Sequence, residues 1–162
     1  MEIRKSTPED IPAILRIFSV AKQFMIAQGN ATQWGSGYPG LEDLEPDIRS
    51  GNSYVIVDQG AIVGTFSFII GTEPNYQNIK DGAWHDSRLY GTIHRLASGG
   101  SVKGIAKACF AYCSEQIDYL RIDTHKNNLS MQAAIQKFGF RQCGIIYVED
   151  GTERIAYDYR KA

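Results

Sequence analysis

The chain has 162 residues, with 17 Lys and Arg against 18 Asp and Glu, a formal net charge of −1 and a pI near 6.3. That length fits a single domain spanning 1–162 with a real core, and the near-neutral balance excludes the basic footprint of a general nucleic-acid binder. No apolar run approaches the roughly 20 residues that cross a bilayer, so neither a membrane nor a nucleic-acid partner is expected.

Met1 to Lys5 alternates as a short strand, and Ser6-Thr7-Pro8-Glu9-Asp10 supplies a helix start with a hydroxyl, an early proline and acids in the first turn. Ile11, Ile14, Leu15, Phe18, Ala21 and Met25 form one apolar helical stripe that Gly29-Asn30 ends. Ala31 to Gly40 is a glycine-rich loop carrying Trp34 and Tyr38, which either wall a pocket or clasp the core. Leu41 to Ser50 reads as a short acidic helix.

Ser53 to Asp58 and Ala61 to Ile70 are strands joined by Gln59-Gly60, a hairpin signal. Residues 71 to 88 lack periodicity and read as a long excursion of a kind uncommon unless functional or poorly ordered. A strand over Tyr90 to Ala97 then runs into Ser98-Gly99-Gly100-Ser101-Val102-Lys103-Gly104-Ile105-Ala106, and an apolar helix follows to Gln116. Glycines at a helix N-terminus aim free amides and the positive end of the dipole at one spot, and Lys103 adds a charge beside it. The same stretch also serves as a plain strand-to-helix turn with no ligand.

Leu120 to Asp123 is a strand parallel to the one before the glycine turn, Asn128 to Phe138 a helix ended by Gly139, and Phe140 to Glu149 and Glu153 to Arg160 a hairpin about Asp150-Gly151-Thr152. This order predicts an α+β sandwich with a mixed sheet. The three cysteines suit a reducing compartment, and no signal-like segment opens the chain, so a cytoplasmic protein is expected. Cys109 and Cys113 should pack as small apolar residues. The histidines at 85, 94 and 125 are scattered in sequence, so no metal site is expected.

With these residues in place, the chain resembles the GNAT superfamily of N-acetyltransferases over essentially its whole length. The family's phosphate turn, Q/R-x-x-G-x-G/A, corresponds to Ser101-Val102-Lys103-Gly104-Ile105-Ala106, with Ser101 departing from the usual Gln or Arg. The family pattern N-x-x-A-x-x-x-Y-x-K-x-G-F corresponds to Asn128 through Phe140. There Met131 replaces a small residue, and Ile135 replaces the tyrosine that often protonates the leaving thiolate, so that role is absent or filled elsewhere.

The resemblance implies a three-layer α/β/α sandwich about a mixed, mostly antiparallel sheet of about seven strands with about four helices. It also implies acetyl transfer from acetyl-CoA to a primary amine of a small molecule or protein, with a non-catalytic acyl-CoA-binding module as the alternative. Leu96, Ala97, Ser98, Ser101, Val102, Lys103, Gly104, Ile105, Ala106, Lys107, Asn128 and Met131 would hold the cofactor, and no metal is implied. A homodimer is left open.

Strand alternation puts Tyr90, Thr92, His94 and Leu96 on one face and Ile93, Arg95 and Ala97 on the other. If the first face lines the cleft, His94 is the general base; otherwise it is a half-buried strand histidine. Arg95 is either a clamp for a substrate carboxylate or a solvated charge. Trp34, Tyr38 and Tyr147 would wall a small substrate, with core packing as the alternative. Asn128 caps its own helix, reaches the pantetheine, or does both. A relay through Asp123 and His125 is set aside in favour of local turn bonds.

Overall fold

In the computed structural model, which describes residues 1–162, strand β1 (Glu2–Lys5) pairs antiparallel with β2 (Ser53–Asp58). A hairpin then leads to β3 (Ala61–Ile70), with Gln59 and Gly60 both at positive φ, as a two-residue turn of this kind requires. Next come β4 (Gly91–Ser98), β5 (Tyr119–Thr124), β6 (Arg141–Tyr147) and β7 (Glu153–Arg160). The sheet order is β1-β2-β3-β4-β5-β7-β6, and only β4 and β5 run parallel.

Helices α1 (Ile11–Ala27) and α2 (Leu41–Arg49) cover one face, where Ile14, Phe18 and Leu44 pack on Val55 and Ala97. Helices α3 (Ile105–Gln116) and α4 (Leu129–Phe138) cover the other, where Phe110 and Ile135 meet Phe66, Leu120 and Tyr157. The seven-stranded mixed sheet between four helices is the sandwich the sequence predicts. Ile135 is fully buried, and burying a side chain of that size contributes about 1.5–3 kcal/mol. Cys109 and Cys113 are buried free thiols in the same core.

Local rules set the helix ends. Gly29 is left-handed at φ 82°, and the amides of Gly29 and Asn30 donate to Ile26 and Met25 carbonyls, the paired bonds that close a helix C-terminus. At the other end of α1 the hydroxyl of Thr7 does not cap. The Asp10 carboxylate accepts from the Thr7 amide (2.8 Å) and from Arg4, because a charged acceptor outcompetes a hydroxyl.

The excursion over 71–88 is packed against the sheet. Tyr76 is 2% exposed and joins Tyr90, Tyr119, Ile146 and Ala156 in a third cluster, and Trp84 donates to the Tyr76 carbonyl. The excursion is therefore held on the α1 side of the sheet, beside β4 and β5.

Candidate active site

The centre of the site is a break in β4. Ser67 faces His94 and Thr65 faces Ala97, so one residue of β3 opposes two of β4. The extra residue is accommodated by Arg95 in the left-handed region at φ 52°, a β-bulge that re-aims side chains. His94 consequently shares the face of its partner Ser67, and Arg95 donates to Ser67 Oγ (3.3 Å) on that same face. Leu96 turns to the opposite face and packs with Phe66 and Ile93, while Ala97 packs with the α1 cluster. Strict alternation groups Leu96 with His94 and Arg95 with Ile93; the bulge reverses both assignments.

Beyond the bulge β4 leaves its parallel neighbour. Pairing with β5 is confined to Gly91 with Leu120 and Thr92 with Arg121, so from Ile93 onward a cleft opens between the strands. The cleft leads to the glycine turn. Gly100 and Gly104 stand at φ 84° and 83°, and no side chain caps α3, whose N-cap is Gly104. A Cβ built at Gly104 would meet only Met1 Cε at 3.9 Å, so the amide end of α3 faces open space. Ser101, Lys103 and Lys107 are exposed around it, whereas Val102 and Ala106 pack partly on the core and the Ile105 side chain is buried in it.

The loop over 31–40 closes the cleft from the α1 side through Gln33. Its side-chain carbonyl accepts from Asn30 (2.9 Å) and Asn128 (3.0 Å), and more loosely from the His125 amide (3.4 Å). Asn128 Oδ1 in turn accepts from the Met131 amide (3.2 Å), so this residue caps α4 and anchors the loop at once. Trp34, 7% exposed, meets Phe18 and Tyr38 edge-on. Trp34, Tyr38, His94, Arg95, Leu96, Asn128 and Met131 thus converge on one cavity of about 490 Å³. Tyr147 lies outside it, on the sheet surface between Lys80 and Glu153.

Two carboxyl side chains, Glu73 and Asp123, line the cavity, each bonded to a neighbouring ring. His94 Nε2 stands 3.1 Å from Glu73 Oε2, and this bond holds the Glu73 carboxyl below its ordinary range. Tyr76 donates to Asp123 Oδ2 at 2.6 Å, and burial pushes the Asp123 carboxyl up. Arg95 is bound to Asp47 of α2 and to Tyr38. It is therefore neither solvated nor free to clamp. The His125 ring makes one local bond, accepting from the Asn127 amide, and one distant bond to Thr32 of the 31–40 loop, and no hydrogen bond joins it to Asp123.

Gln33, Glu73, Tyr76 and Arg154 carry no signal in the sequence. Each acts through a partner 21 or more residues away. Scatter in sequence also conceals a trio on the sheet, since His85, Cys143 and Asp158 bring ligand-type atoms within 4.8 Å of one another. Both Asp158 (2.7 Å) and Cys143 (3.3 Å) address the same His85 nitrogen, and burial pushes the thiol up to about 12. The three side chains are thus joined to one another through a single imidazole nitrogen.

No protein-family model matches the chain, and no curated protein matches it. Among solved structures it is similar to an acetyltransferase of the GNAT family from Streptococcus agalactiae 2603. The two share 30% identity over 99% of this chain and 95% of the other, with a TM-score of 0.90. A Staphylococcus aureus Mu50 protein described as a putative acetyltransferase shares 26% identity over 99% of each chain, with a TM-score of 0.72. A GNAT-like decarboxylase in complex with isobutyryl-CoA has the same fold at 14% identity and a TM-score of 0.66 over 99% of each chain. No helix is long and apolar enough to cross a membrane.

Proposed function

The chain belongs to the GNAT family of acetyltransferases, and from that premise we propose that it moves an acetyl group from acetyl-CoA to a primary amine. The observation that carries this reading is the continuity of three features. The uncapped amide end of α3, the cleft between β4 and β5, and the cavity holding His94 and Glu73 follow one another along β4.

In this reading the amides from Gly104 to Lys107 take the pyrophosphate, with Ser101 and Lys103 beside it. The pantetheine arm lies along Leu96 to Ser98, with Asn128 and Met131 across the cleft. The thioester supplies an activated acyl carbon. The acceptor amine reaches it from the cavity walled by Trp34 and Tyr38, with Arg95 beside them. In the tautomer that lets His94 Nε2–H donate to Glu73, Nδ1 keeps its lone pair and takes the proton of the ammonium, directly or through water. The C–N bond forms, the C–S bond breaks, and the thiolate takes up a proton to leave as free CoA.

Ile135 is buried in the core and cannot supply that last proton. Orientation alone can lower the barrier by about 7–11 kcal/mol, so a dedicated acid is not essential.

The test is release of free thiol from acetyl-CoA across a panel of amines, with acetyl-CoA binding read in parallel. Amine-dependent thiol release is the expected outcome. Binding without release from any amine would instead be the signature of a non-catalytic acyl-CoA-binding module.

A further inference from the structure

The cavity wall holds a half-buried acid, Asp123, and a buried arginine, Arg154, that no opposite charge in the chain neutralises by direct contact. Asp123 lies opposite Ala156 in the β5–β7 ladder, so the two share a face. Arg154, two residues before Ala156 on β7, shares that face as well, as a diagonal neighbour of Asp123. Both line the same cavity.

Arg154 is 6% exposed, and no carboxylate stands within 4.0 Å of its guanidinium. Nη1 donates to Thr152 Oγ1 (2.8 Å) and the Glu153 carbonyl (3.0 Å), and Nη2 donates to the Gln33 carbonyl (3.1 Å). Of its five N–H groups, the one on Nε and one on Nη2 therefore have no partner in the chain. Buried guanidinium groups are ordinarily paired with a carboxylate or phosphate, for which their planar fork is shaped.

Asp123 presents the complementary vacancy. Its Oδ2 accepts from Tyr76, and its Oδ1 makes no hydrogen bond in the chain. It lies two residues beyond Arg121 on β5, as His94 lies two beyond Thr92 on β4, and Thr92 and Arg121 are register partners. Asp123 is therefore level with His94 across the cleft. Of the other charges on the cavity wall, Glu73 is paired with His94 and Arg95 with Asp47, Asp43 is bonded by the Gly40 amide and Asp150 by Thr152, and Glu149, like Asp150, lies exposed to solvent at the rim.

We infer that the acceptor is a free amino acid, its ammonium held at Asp123 beside His94 and its carboxylate on the unfilled edge of Arg154. This rests on the acyl-transfer reading for its chemistry, but not for its test. A cavity of about 490 Å³ is of a size for a small molecule of this kind.

The test is calorimetric binding in the presence of CoA, without turnover. The probes are phenylalanine, lysine and tyrosine, each compared with its decarboxylated amine (phenethylamine, cadaverine, tyramine) and with its carboxamide. The best amino acid should bind at least tenfold more tightly than its own amine and carboxamide. In Arg154→Met that preference should fall to within about twofold, with CoA affinity and amine affinity unchanged, and Arg154→Lys should restore part of it.

Equal or tighter binding of the amines or carboxamides by the wild-type protein overturns the inference, as does failure of every probe to bind. Both of these outcomes are read on the wild-type protein, whether or not the Arg154 variants fold. A protein that shows the amino-acid preference but releases no thiol from acetyl-CoA would fail the acyl-transfer reading and keep this one.

Discussion

His94 and Arg95 are consecutive on β4, yet both project from the sheet face that carries Ser67. Arg95 makes this possible by taking the left-handed backbone at φ 52°. Such a conformation is unfavourable for a side chain longer than glycine and persists only where its surroundings hold it. Here Asp47, Tyr38 and Ser67 grip the guanidinium and hold the bulge from the α2 side.

The first prediction concerns that grip. The Arg95 and Asp47 side chains are 15% and 13% exposed, so removing one leaves the other charge buried and unpaired. Arg95→Ala and Asp47→Ala should each lower stability by about 3 kcal/mol, and the double variant should lose clearly less than the sum. Urea unfolding of the three variants reads this. Strictly additive losses would show that the two residues are not coupled.

A second prediction bears on proton removal. His94→Ala should lower the catalytic rate by roughly a hundredfold to ten-thousandfold with acetyl-CoA affinity held. Activity should then climb steadily with pH as the free amine fraction grows, without a plateau. Glu73→Gln should give a smaller loss in the same direction, since it leaves the imidazole in place but removes the anion that stabilises its charged form. Wild-type rates and an unaltered pH profile in His94→Ala would make His94 a structural strand residue.

The glycine turn gives a third. Space beside Gly104 is open, so the requirement there is conformational: a left-handed residue other than glycine costs about 1–2 kcal/mol. Gly104→Ala should show that loss in thermal unfolding. Acetyl-CoA at a hundred times its dissociation constant should stabilise the wild-type protein by about 2.7 kcal/mol, and Gly104→Val should abolish the shift by placing a branched side chain at the amide end of α3. A full ligand shift in Gly104→Val would move the phosphate site elsewhere.

The fourth concerns pH. Burial raises the Asp123 carboxyl above its ordinary value of 3.8, so the folded protein holds that proton more tightly than the unfolded chain does. The stability this group contributes is full below the ordinary value and is lost as pH rises through the raised one. Asp123→Asn cannot ionise and keeps an oxygen for Tyr76. It should therefore gain on the wild type across that window and hold the gain at pH 8, while losing acceptor turnover. Melting temperatures from pH 4 to 8 decide it, and a difference that does not vary with pH would show that the carboxyl is not strained by burial.

What the sequence by itself determined are the features governed by neighbours within about four positions. The hairpins at Gln59-Gly60 and Asp150-Gly151, the left-handed glycines at 29, 104 and 139, the Asn128 cap and the buried face holding Ile135 all follow from such local rules. Tertiary structure decided which of these the site would use. The bulge exists because β3 and β4 differ in length by one residue between Thr65–Ser67 and His94–Ala97, and it alone sends Leu96 away from His94. Glu73 meets His94 across 21 residues and Gln33 meets Asn128 across 95. Those bonds depend on where the excursion and the loop come to rest on the sheet, a placement set by the burial of Tyr76 and Trp34 and by no pattern in the residues around them.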